Sequence, residues 1–516
     1  MTASAIDDTM MQDKVFAFLC DPAHHANVQR IDTHAASVFL EGDRALKIKR
    51  AIRFPFLDYS TLDKRKAACE AEIRVNRPFA PQIYRRVVPI TMEADGKLIV
   101  DGRGMPVEYA VEMTRFDERK TMDHLARDGA LDGHLVDAMA DAIAEAHRIA
   151  PTRSADRWLQ SVPKLIDDNS NALRAAGCFS ADEIDDLATA SHAAFSGLRP
   201  LLEKRGKNGF VRRCHGDLHL GNIVVIDANP VLFDAIEFDE TIASIDVLYD
   251  LAFVLADLLR YGRPDAANAV LNRYLSVTRN ENLDALATLP LLMSIRAAIR
   301  AHVLLARAGR VHAGGAAASE DARAYFDLAR QLIHPRPPTL IAVGGLSGTG
   351  KSVLARALAS HLQPAPGAVI LRSDVLRKQM FGVGPEETLP EDAYAPEVGR
   401  RVYEILSQET GRVLSQGHSA IADAVFARAS ERAAIQDVAR RSHIRFIGLF
   451  LVADLETRQK RILQRARDAS DATIEIARLQ EHYDIGAIDW AIIDASGTAE
   501  ETLRACGNSI AAFETD

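Results

Sequence analysis

The chain has 516 residues, which is too long for a single hydrophobic core, so two or three domains are expected. Hydrophobic residues make up 48% and charged residues 26% of the chain, proportions that are ordinary for a globular protein and argue against a disordered or fibrous one. The formal net charge of −9 gives no reason to expect a protein that binds nucleic acid.

The start of the chain and its cysteines indicate a cytoplasmic protein. Residues 1–14 carry acids where a secretory signal would carry a basic region. The apolar stretch Phe446–Ala453 is far shorter than the roughly 20 residues that span a bilayer. Five scattered cysteines form no metal-ligand spacing and leave an odd count, as expected of reduced thiols. We therefore expect a cytoplasmic location and no membrane segment.

The first two-thirds of the chain predicts two lobes of different character. Residues 1–116 predict a small β-rich lobe, and residues 117–334 predict a larger, almost wholly helical lobe. The elements predicted in the first lobe are strands at 35–40, 45–49 and 98–100 and a helix from about 62 to 77.

A motif in the second lobe carries the chemistry of this part. His215-Gly-Asp217-Leu-His219-Leu-Gly-Asn222 places Asp217 and Asn222 five residues apart, the spacing of a kinase catalytic loop. Such a loop needs a carboxylate to orient and deprotonate the acceptor hydroxyl, and an amide oxygen for Mg²⁺. Two apolar strands, predicted at Ile223–Ile226 and Val231–Phe233, follow and lead to Asp234, where a metal-binding aspartate is expected.

This motif resembles that of the aminoglycoside-phosphotransferase-like small-molecule kinases, which have glycine after the histidine where protein kinases have arginine. The resemblance implies a protein-kinase-like fold, ATP and Mg²⁺ as cofactors, Asp217 as the catalytic residue, and Asn222 and Asp234 as metal ligands. It also implies that Asp250, within Tyr249-Asp-Leu-Ala252, braces the catalytic loop.

The same resemblance implies an ion pair at the ATP phosphates. Lys47, at the end of Ala45-Leu46-Lys47, is the expected lysine and Glu72 its expected partner. Lys49 lies two residues on, hence on the same strand face, and stays an alternative to Lys47. Glu70 is the alternative to Glu72, and an exposed ion pair of little energetic value is the alternative role for the pair.

Two segments depart from the family pattern. The segment over the phosphates should be rich in glycine but reads Thr33-His34-Ala-Ala-Ser37-Val-Phe39, and Asp234-Ala-Ile-Glu237 lacks the glycine that follows the metal-binding aspartate. These departures leave open a second hypothesis, in which the kinase-like half senses a small molecule and regulates the C-terminal half.

A proline-rich segment at 335–338 predicts a linker, because proline lacks the amide proton that helices and strands use. Residues 339–516 then alternate strand and helix, which predicts a parallel sheet with crossover helices. The expected fold class is therefore an α+β protein-kinase-like bilobal domain followed by an α/β P-loop domain with a parallel sheet.

The second domain opens with a complete phosphate-binding motif, G-x-x-x-x-G-K-[ST], between an apolar strand and a helix. Lys351 is expected to reach the β- and γ-phosphates, and the Ser352 hydroxyl is expected to bind Mg²⁺. The loop residues expected to wrap the phosphates are Gly345, Ser347, Gly348, Thr349 and Gly350.

Two aspartates follow the next two strands of this domain. Asp374 comes after the strand at 368–371, and Asp423 comes after the strand at 420–422. The carboxyl ends of parallel strands converge on the ligand crevice, so both side chains are expected there. We expect Asp374 to accept the proton of the attacking hydroxyl and Asp423 to do this or to hold Mg²⁺. A helix N-cap is the alternative role for each.

An arginine-rich segment near residues 458–472 predicts a mobile lid. Arg461 and Arg465 are expected to neutralise the charge that develops on the transferred phosphoryl group. A solvated helix face is the alternative role for each arginine.

Taken together, the P-loop, Ser373-Asp374-x-x-Arg377, Asp423-Ala-Val-Phe426 and the lid motif resemble the gluconate kinase, polynucleotide 5′-kinase and zeta-toxin group over residues 339–516. This resemblance implies that Asp494–Thr498 lies near the adenine.

The whole chain resembles a bacterial family of bifunctional proteins that join an aminoglycoside-phosphotransferase-like half to an ATP-binding half. The segments Thr33–Leu40, Lys47–Arg50 and Phe54–Leu62 carry that likeness in the first half. We expect two ATP-dependent kinases for small hydroxylated acceptors such as sugars or amino alcohols. A third hypothesis makes the C-terminal half a nucleic-acid 5′-end or sugar-nucleotide kinase, which the acidic net charge disfavours. The sequence does not indicate an oligomeric state.

Overall fold

The computed structural model of the protein describes residues 3–25, 27–33, 35–54, 57–308, 315–384, 387–464 and 469–512. The described chain divides into two compact units. The first unit comprises residues 1–162 and 203–257, and the second comprises residues 163–202 and 258–516.

The first unit is built on a six-stranded antiparallel sheet in the order β1-β2-β3-β8-β6-β7. The expected β-rich lobe is thus present, and β4 and β5 pair separately as a short hairpin. The strands are β1 (Gln29–Asp32), β2 (Ala36–Glu41), β3 (Arg44–Lys49), β4 (Arg53–Phe54), β5 (Leu57–Asp58), β6 (Tyr84–Met92), β7 (Leu98–Val100) and β8 (Met105–Thr114).

Two helices pack on this sheet. Helix α1 (Ala3–Leu19), which sequence reasoning did not anticipate, buries Val15, Phe16 and Leu19 against the sheet core. Helix α2 (Leu62–Asn76) begins at Thr61, whose side chain accepts a hydrogen bond from the Lys64 amide and so caps an otherwise unpaired donor.

The chain continues through helices and short hairpins that hold the catalytic-loop motif. The apolar segments that follow the motif pair as the antiparallel strands β10 and β11, where strands were predicted. The elements, in chain order, are α3 (Met122–Arg127), α4 (Gly133–Ile149), α5 (Asp156–Ala176), α6 (Ala181–Lys207), β9 (Val211–Arg213), β10 (Ile223–Ile226), β11 (Asn229–Leu232), α7 (Glu240–Ala243), β12 (Ser244–Asp246) and α8 (Val247–Arg260).

The second unit contains a five-stranded parallel sheet in the order β14-β15-β13-β16-β17. Its central strands are buried on both faces, which is why they read as continuous apolar runs. The elements are α9 (Pro264–Val277), α10 (Leu289–Ala308), α11 (Gly315–Ile333), β13 (Thr339–Gly345), α12 (Lys351–Ala359), β14 (Val369–Arg372), α13 (Ser373–Met380), α14 (Pro396–Ser415), β15 (Ala420–Asp423), α15 (Ala429–Ser442), β16 (Arg445–Val452), α16 (Leu455–Gln464), α17 (Ile474–Gln480), β17 (Ala491–Asp494) and α18 (Ala499–Ala512).

The predicted fold class is therefore confirmed, since a kinase-like fold is followed by a domain with a parallel five-stranded sheet. Within the described part of the chain, one helical stretch, Leu283–Ala306, is long and apolar enough to cross a membrane. Slightly more than half of that window is buried in the protein, as the core helix of a globular unit would be, so the indication is weak.

Candidate functional site

The first candidate site is centred on one buried carboxylate that holds two lysines. Lys47 and Lys49 project from the same face of β3. The Lys47 Nζ lies 2.8 Å from Glu72 Oε1, and the Lys49 Nζ lies 2.6 Å from Glu72 Oε2. Glu70, the alternative partner, is exposed on the other side of α2 and lies 3.9 Å from Lys66. The structure thus brings Lys47 and Glu72 together, and Lys49 joins them.

Two further carboxylates close this cluster. Asp234 Oδ1 lies 2.5 Å from the Lys47 Nζ, and Glu237 pairs with Lys49 and accepts a hydrogen bond from the Tyr59 hydroxyl at 3.1 Å. Burial, the largest single cause, raises the pKa of Asp234, but the charge and hydrogen bond of Lys47 together with the charge of Lys49 outweigh it, and the net pKa falls to about 2. Asp234 is therefore ionised at neutral pH. Sequence reasoning gave Glu237 no role, although its place three residues after Asp234 was the available signal.

The catalytic-loop motif brings its two key side chains together. The Asn222 Nδ2 donates to the Asp217 carbonyl oxygen at 2.9 Å and approaches Asp217 Oδ2 at 3.4 Å. The amide of Phe233 donates to the Asn222 carbonyl at 3.0 Å, which fixes the neighbouring Asp234 beside the loop. The Asp217 side chain is 45% exposed and so can meet a ligand from solvent.

Asp250 braces this loop as the family resemblance implies. Its carboxylate accepts hydrogen bonds from the amides of His215 and Gly216, each at 3.0 Å. His147, which sequence reasoning missed, adds a contact from Nε2 at 3.3 Å. With Cys214, these residues form a buried His-Cys-Asp group. Burial raises the pKa of the Cys214 thiol well above its usual value.

The glycine-poor segment connects β1 to β2, and its described residues are held by side-chain hydrogen bonds. The Thr33 Oγ1 accepts from the Ala36 amide at 2.9 Å, and the Arg50 guanidinium donates to the Thr33 carbonyl at 3.1 Å. The Ser37 hydroxyl donates to Asp32 at 2.6 Å. His34 lies outside the described residues. Side-chain hydrogen bonds thus stabilise the connection that glycines form elsewhere.

The second candidate site contains the P-loop between β13 and α12. Gly345, Gly348 and Gly350 all have positive φ, at 133°, 85° and 96°. A Cβ at Gly345 would lie 2.5 Å from the Leu451 carbonyl oxygen, and one at Gly348 would lie 2.6 Å from that of Arg458. These contacts explain why only glycine fits there. Beside Gly350, nothing lies closer than 3.9 Å to such a Cβ, which leaves open space at the helix N-terminus.

The motif residues after the loop point toward this space. The Lys351 Nζ folds back over the loop and donates to the Leu346 carbonyl at 3.1 Å, and Thr349 Oγ1 donates to the same carbonyl at 2.8 Å. The Ser352 hydroxyl donates to Asp423 Oδ2 at 2.6 Å. The loop, the lysine and the positive end of the α12 dipole together fit a triphosphate. The Ser352–Asp423 pair offers oxygen ligands of the kind that Mg²⁺ prefers.

Asp374 and Asp423 meet at the carboxyl ends of neighbouring strands. In the β14–β15 register, Arg372 pairs with Asp423, and the Arg372 Nε lies 3.4 Å from Asp423 Oδ2. Asp374 lies in the first turn of α13, where Arg372 holds the N-cap position. Burial raises the pKa of Asp374, and Arg372 offsets this only in part. A hydrogen bond joins Asp374 to Ser470 of the lid motif.

The predicted lid arginines differ in their contacts. Arg461 donates to the Gly497 carbonyl at 2.6 Å and lies 3.4 Å from the Thr349 carbonyl, which joins the P-loop to the segment expected near adenine. Arg465 lies outside the described residues. Arg458 is buried and donates to the Ser347 carbonyl at 2.9 Å, so it supports the loop.

Gln480, at the end of α17, was not anticipated from the sequence. Its side-chain oxygen accepts from the Ser347 amide at 2.7 Å, and its nitrogen donates to the Ser347 hydroxyl at 3.0 Å. Both residues are buried. No motif marks this glutamine, because its role depends on the approach of α17 to a loop more than 100 residues earlier in the chain.

Asp471 of the lid motif organises the opposite wall of the same site. Its carboxylate lies 3.0 Å from the buried Lys378 Nζ and accepts from the Tyr394 hydroxyl at 2.6 Å. The Arg377 guanidinium lies over the Tyr394 ring, 5.0 Å from its centroid, and donates to the Ala393 carbonyl at 2.7 Å. The lid motif and the segment after Asp374 thus share one hydrogen-bonded wall.

Comparison with known proteins agrees with this division of chemistry. Residues 35–289 match the phosphotransferase enzyme family, and residues 340–483 match a family described as an AAA domain. Uncharacterized proteins of Mycobacterium tuberculosis and Mycobacterium bovis are 28% identical over 485 residues, which cover 92% of this chain and 93% of each relative.

Solved structures resemble each half separately. A choline kinase from Cryptosporidium parvum Iowa II is 11% identical and covers 59% of this chain and 88% of its own, with a TM-score of 0.38. A gluconokinase from Sinorhizobium meliloti 1021 is 19% identical and covers 34% of this chain and 94% of its own, with a TM-score of 0.25. Likenesses at this level do not bear on the substrate.

Proposed function

Since residues 35–289 belong to the phosphotransferase enzyme family and the C-terminal part is a P-loop kinase domain, we propose that this ATP-dependent phosphotransferase has two active sites, one in each part. Each site transfers the γ-phosphoryl group of ATP to a hydroxyl of a small acceptor of the sugar or amino-alcohol type. The five cysteines form no disulfide, which fits the cytoplasm, where ATP is plentiful.

In the N-terminal site, Asp217 accepts the proton of the acceptor hydroxyl, because its partly exposed carboxylate faces solvent beside Asn222. Asn222 and Asp234 are the residues that would hold Mg²⁺, and Lys47, fixed by Glu72, contacts the ATP phosphates. When bound, Mg²⁺ and the triphosphate supply charge neutralisation and the group to be transferred.

In the C-terminal site, Lys351 and the loop amides bind the phosphates, and Ser352 with Asp423 would hold Mg²⁺. Asp374 accepts the acceptor proton, since its raised pKa makes it a better base than an ordinary aspartate. Arg461, and by the resemblance Arg465, stabilise the charge on the transferred group. The remaining loop residues, Gly345, Ser347, Gly348, Thr349 and Gly350, shape the cradle.

The observation that carries this proposal is that the chain assembles a lysine and carboxylates for metal and for acceptor twice, in two separate units. Lys47 pairs with Asp234 in the first unit, and Ser352 pairs with Asp423 beside Asp374 in the second. The first cluster reaches solvent through Asp234 and Asp217, whose side chains are 44% and 45% exposed, although Glu72 within it is fully buried. Charged groups buried beside an accessible carboxylate are typical of a functional site.

The test is a screen of sugars, amino alcohols and nucleosides for acceptor-dependent ATP consumption by the full chain and two variants. Lys351→Ala should abolish the C-terminal activity, and Asp217→Asn should abolish the N-terminal one. A double variant that still turns over ATP at the wild-type rate with an acceptor would refute the proposal.

The glycine-poor segment favours a second candidate function, in which the N-terminal half senses a ligand. Titration of the Lys351→Ala chain with Mg·ATP and with acceptors separates the two functions. Tight ligand binding without phosphoryl transfer would support the sensor, whereas Asp217-dependent transfer would support the enzyme.

A further inference from the structure

The strand that leads to Asp374 lies at the open edge of the parallel sheet. Among the strands of the described residues, β14 pairs with β15 alone, and on that side the Val369 amide donates to the Ser419 carbonyl at 2.9 Å. Backbone groups of alternate residues, among them the Ala368 carbonyl and the Ile370 amide, point the other way. An edge strand must have such groups paired or covered, because a bare edge invites pairing with another chain.

Helix α9 of the same unit supplies the missing partner through an asparagine. The Asn272 Nδ2 donates to the Ala368 carbonyl at 3.0 Å, and its Oδ1 accepts from the Ile370 amide at 2.7 Å. One carboxamide therefore makes both hydrogen bonds that a neighbouring strand would make. Asn268, one turn earlier, donates to the same Ala368 carbonyl at 3.0 Å.

The chain is shaped locally for this approach. Gly367 has a φ of +116°, and a Cβ there would lie 2.7 Å from the Asn268 Nδ2. The Ala359 carbonyl oxygen would be closer still, so a side chain at this position would clash with the end of α12 as well as with Asn268. Asn268 is only 3% exposed, so its amide is committed to these contacts rather than to water.

This edge is connected directly to the chemistry of the C-terminal site. Four residues after Ile370 the chain reaches Asp374, and between them Arg372 pairs with Asp423 in register and by side chain. A shift of β14 would therefore move the proposed acceptor base relative to the P-loop. Helix α9 also lies inside residues 35–289, the segment that matches the phosphotransferase enzyme family.

We propose that Asn272, assisted by Asn268, is a positioning residue of the C-terminal site: its carboxamide replaces a neighbouring strand at the edge of β14 and so fixes Asp374. Helix α9, which lies within the segment that matches the phosphotransferase family, therefore helps to position a residue of the C-terminal site. The inference rests on the proposed function of the C-terminal site, and its test separates the two.

The test uses the full chain in an Asp217→Asn background, so that the remaining Mg·ATP turnover, with water as acceptor, belongs to the C-terminal site. The variants are Asn272→Ala, which removes both hydrogen bonds, and Asn272→Asp, which keeps the acceptor but loses the donor. The control is Asn171→Ala, an exposed helical asparagine of the same unit. We measure kcat, KM for Mg·ATP and hydrogen exchange of the amides at 369–374.

We expect both variants to lower kcat by about tenfold to a hundredfold, with KM for Mg·ATP within about twofold of the parent. The Ile370 amide should exchange at least about tenfold faster in Asn272→Ala. The control should match the parent in every measurement.

An unchanged kcat together with an Ile370 amide that stays protected would overturn the inference. An equal loss of ATP binding and turnover in Asn272→Asp would also overturn it, because such a result indicates a general loss of the fold. If Asn272→Ala does not fold, the kcat and KM of Asn272→Asp decide. The proposed function itself fails if Lys351→Ala leaves turnover in this background unchanged, whatever Asn272 does.

Discussion

Glu72 carries two ammonium groups on one carboxylate, with Lys47 at Oε1 and Lys49 at Oε2, and its side chain is fully buried. Without Glu72, the two ammonium groups would lose the carboxylate that contacts both of them and would keep Asp234 and Glu237 as their acidic neighbours. We expect Glu72→Ala to destabilise the first unit by about 3–5 kcal/mol, as for other broken buried ion pairs. Hydrogen exchange of β3 and α2 amides measures this loss.

Glu70→Ala is the matched control for that prediction. The Glu70 side chain is 54% exposed and its lysine partner is 3.9 Å away, so its loss should cost less than about 0.5 kcal/mol. Equal effects of the two substitutions would show that the buried cluster does not stabilise the unit.

The position of a single side chain could be predicted from the sequence where it follows from the local periodicity of a strand or helix. The sequence placed Lys47 and Lys49 on one strand face but could not choose between them, and the structure shows that Glu72 contacts both. Glu237 escaped notice because no spacing rule connects it to Lys49, which lies 188 residues earlier. Contacts of this kind depend on how elements pack rather than on any local pattern.

At the scale of elements, the segment before β15 contains a histidine that the fold keeps neutral. His418 is 1% exposed. Burial lowers its pKa from 6.5 to about 4, and a hydrogen bond to the Gly367 backbone offsets this only in part. The folded state therefore resists protonation that the unfolded chain accepts.

The sign of the pH dependence follows. The contribution of neutral His418 to the free energy of unfolding is complete above about pH 6.5. It decreases by up to about 3 kcal/mol as the pH falls toward 4. His418→Gln should remove this part of the dependence in thermal unfolding measured between pH 4 and 7. His443→Asn, at an exposed helix end that asparagine tolerates, should leave it intact. The same slope in His418→Gln would contradict the assignment.

The Gln480 side chain joins helix α17 directly to Ser347 of the P-loop, and Arg458 bridges the same two segments. Gln480→Leu would leave the buried amide and hydroxyl of Ser347 without partners, at a cost of about 1–3 kcal/mol. We expect KM for Mg·ATP at the C-terminal site to rise about tenfold, measured in an Asp217→Asn background. Leu479→Ala, at a residue that is 66% exposed, is the control and should leave KM unchanged.

Helices and strands were easier to predict from the sequence than the contacts that they make with one another. The P-loop and its flanking strand and helix follow from one motif, because the glycines, the lysine and the helix start are all local requirements. Helix α1 was not anticipated, since it begins with a polar and acidic sequence, although Val15, Phe16 and Leu19 near its end are buried. The lid motif predicted a mobile segment near residues 458–472, but it gave no indication of α17 or of its attachment to Ser347.

For the whole molecule, the compact units do not coincide with the family matches. The second unit resumes at Leu258, whereas the phosphotransferase match continues to residue 289. Residues 258–289 therefore lie in the second unit although they belong to the first match. We expect peptides from 264–277 to lose protection from hydrogen exchange together with 368–372 at low denaturant, because α9 and β14 share hydrogen bonds. Protection of α9 that is lost instead with residues 215–222 would contradict this.

The proline-rich segment at 335–338 was a reasonable place to divide the chain, since composition marks where the backbone leaves regular structure. It cannot show which elements pack together across that point. The Asn272–Ile370 contact spans 98 residues and uses an ordinary residue type, so no sequence pattern reveals it.

The covering of β14 by α9 also bears on how such a two-part gene can change. Recombination at the codons for 335–338 would combine this parallel sheet with α9 from another gene. The residues of that helix would not necessarily form the hydrogen bonds that Asn268 and Asn272 make beside Gly367. Splitting the gene there would release a C-terminal product with two unmet backbone groups on a strand that invites aggregation. Crossovers placed ahead of Pro264 would inherit helix and strand as a pair, so homologous exchange is expected to be tolerated there and selected against at 335–338.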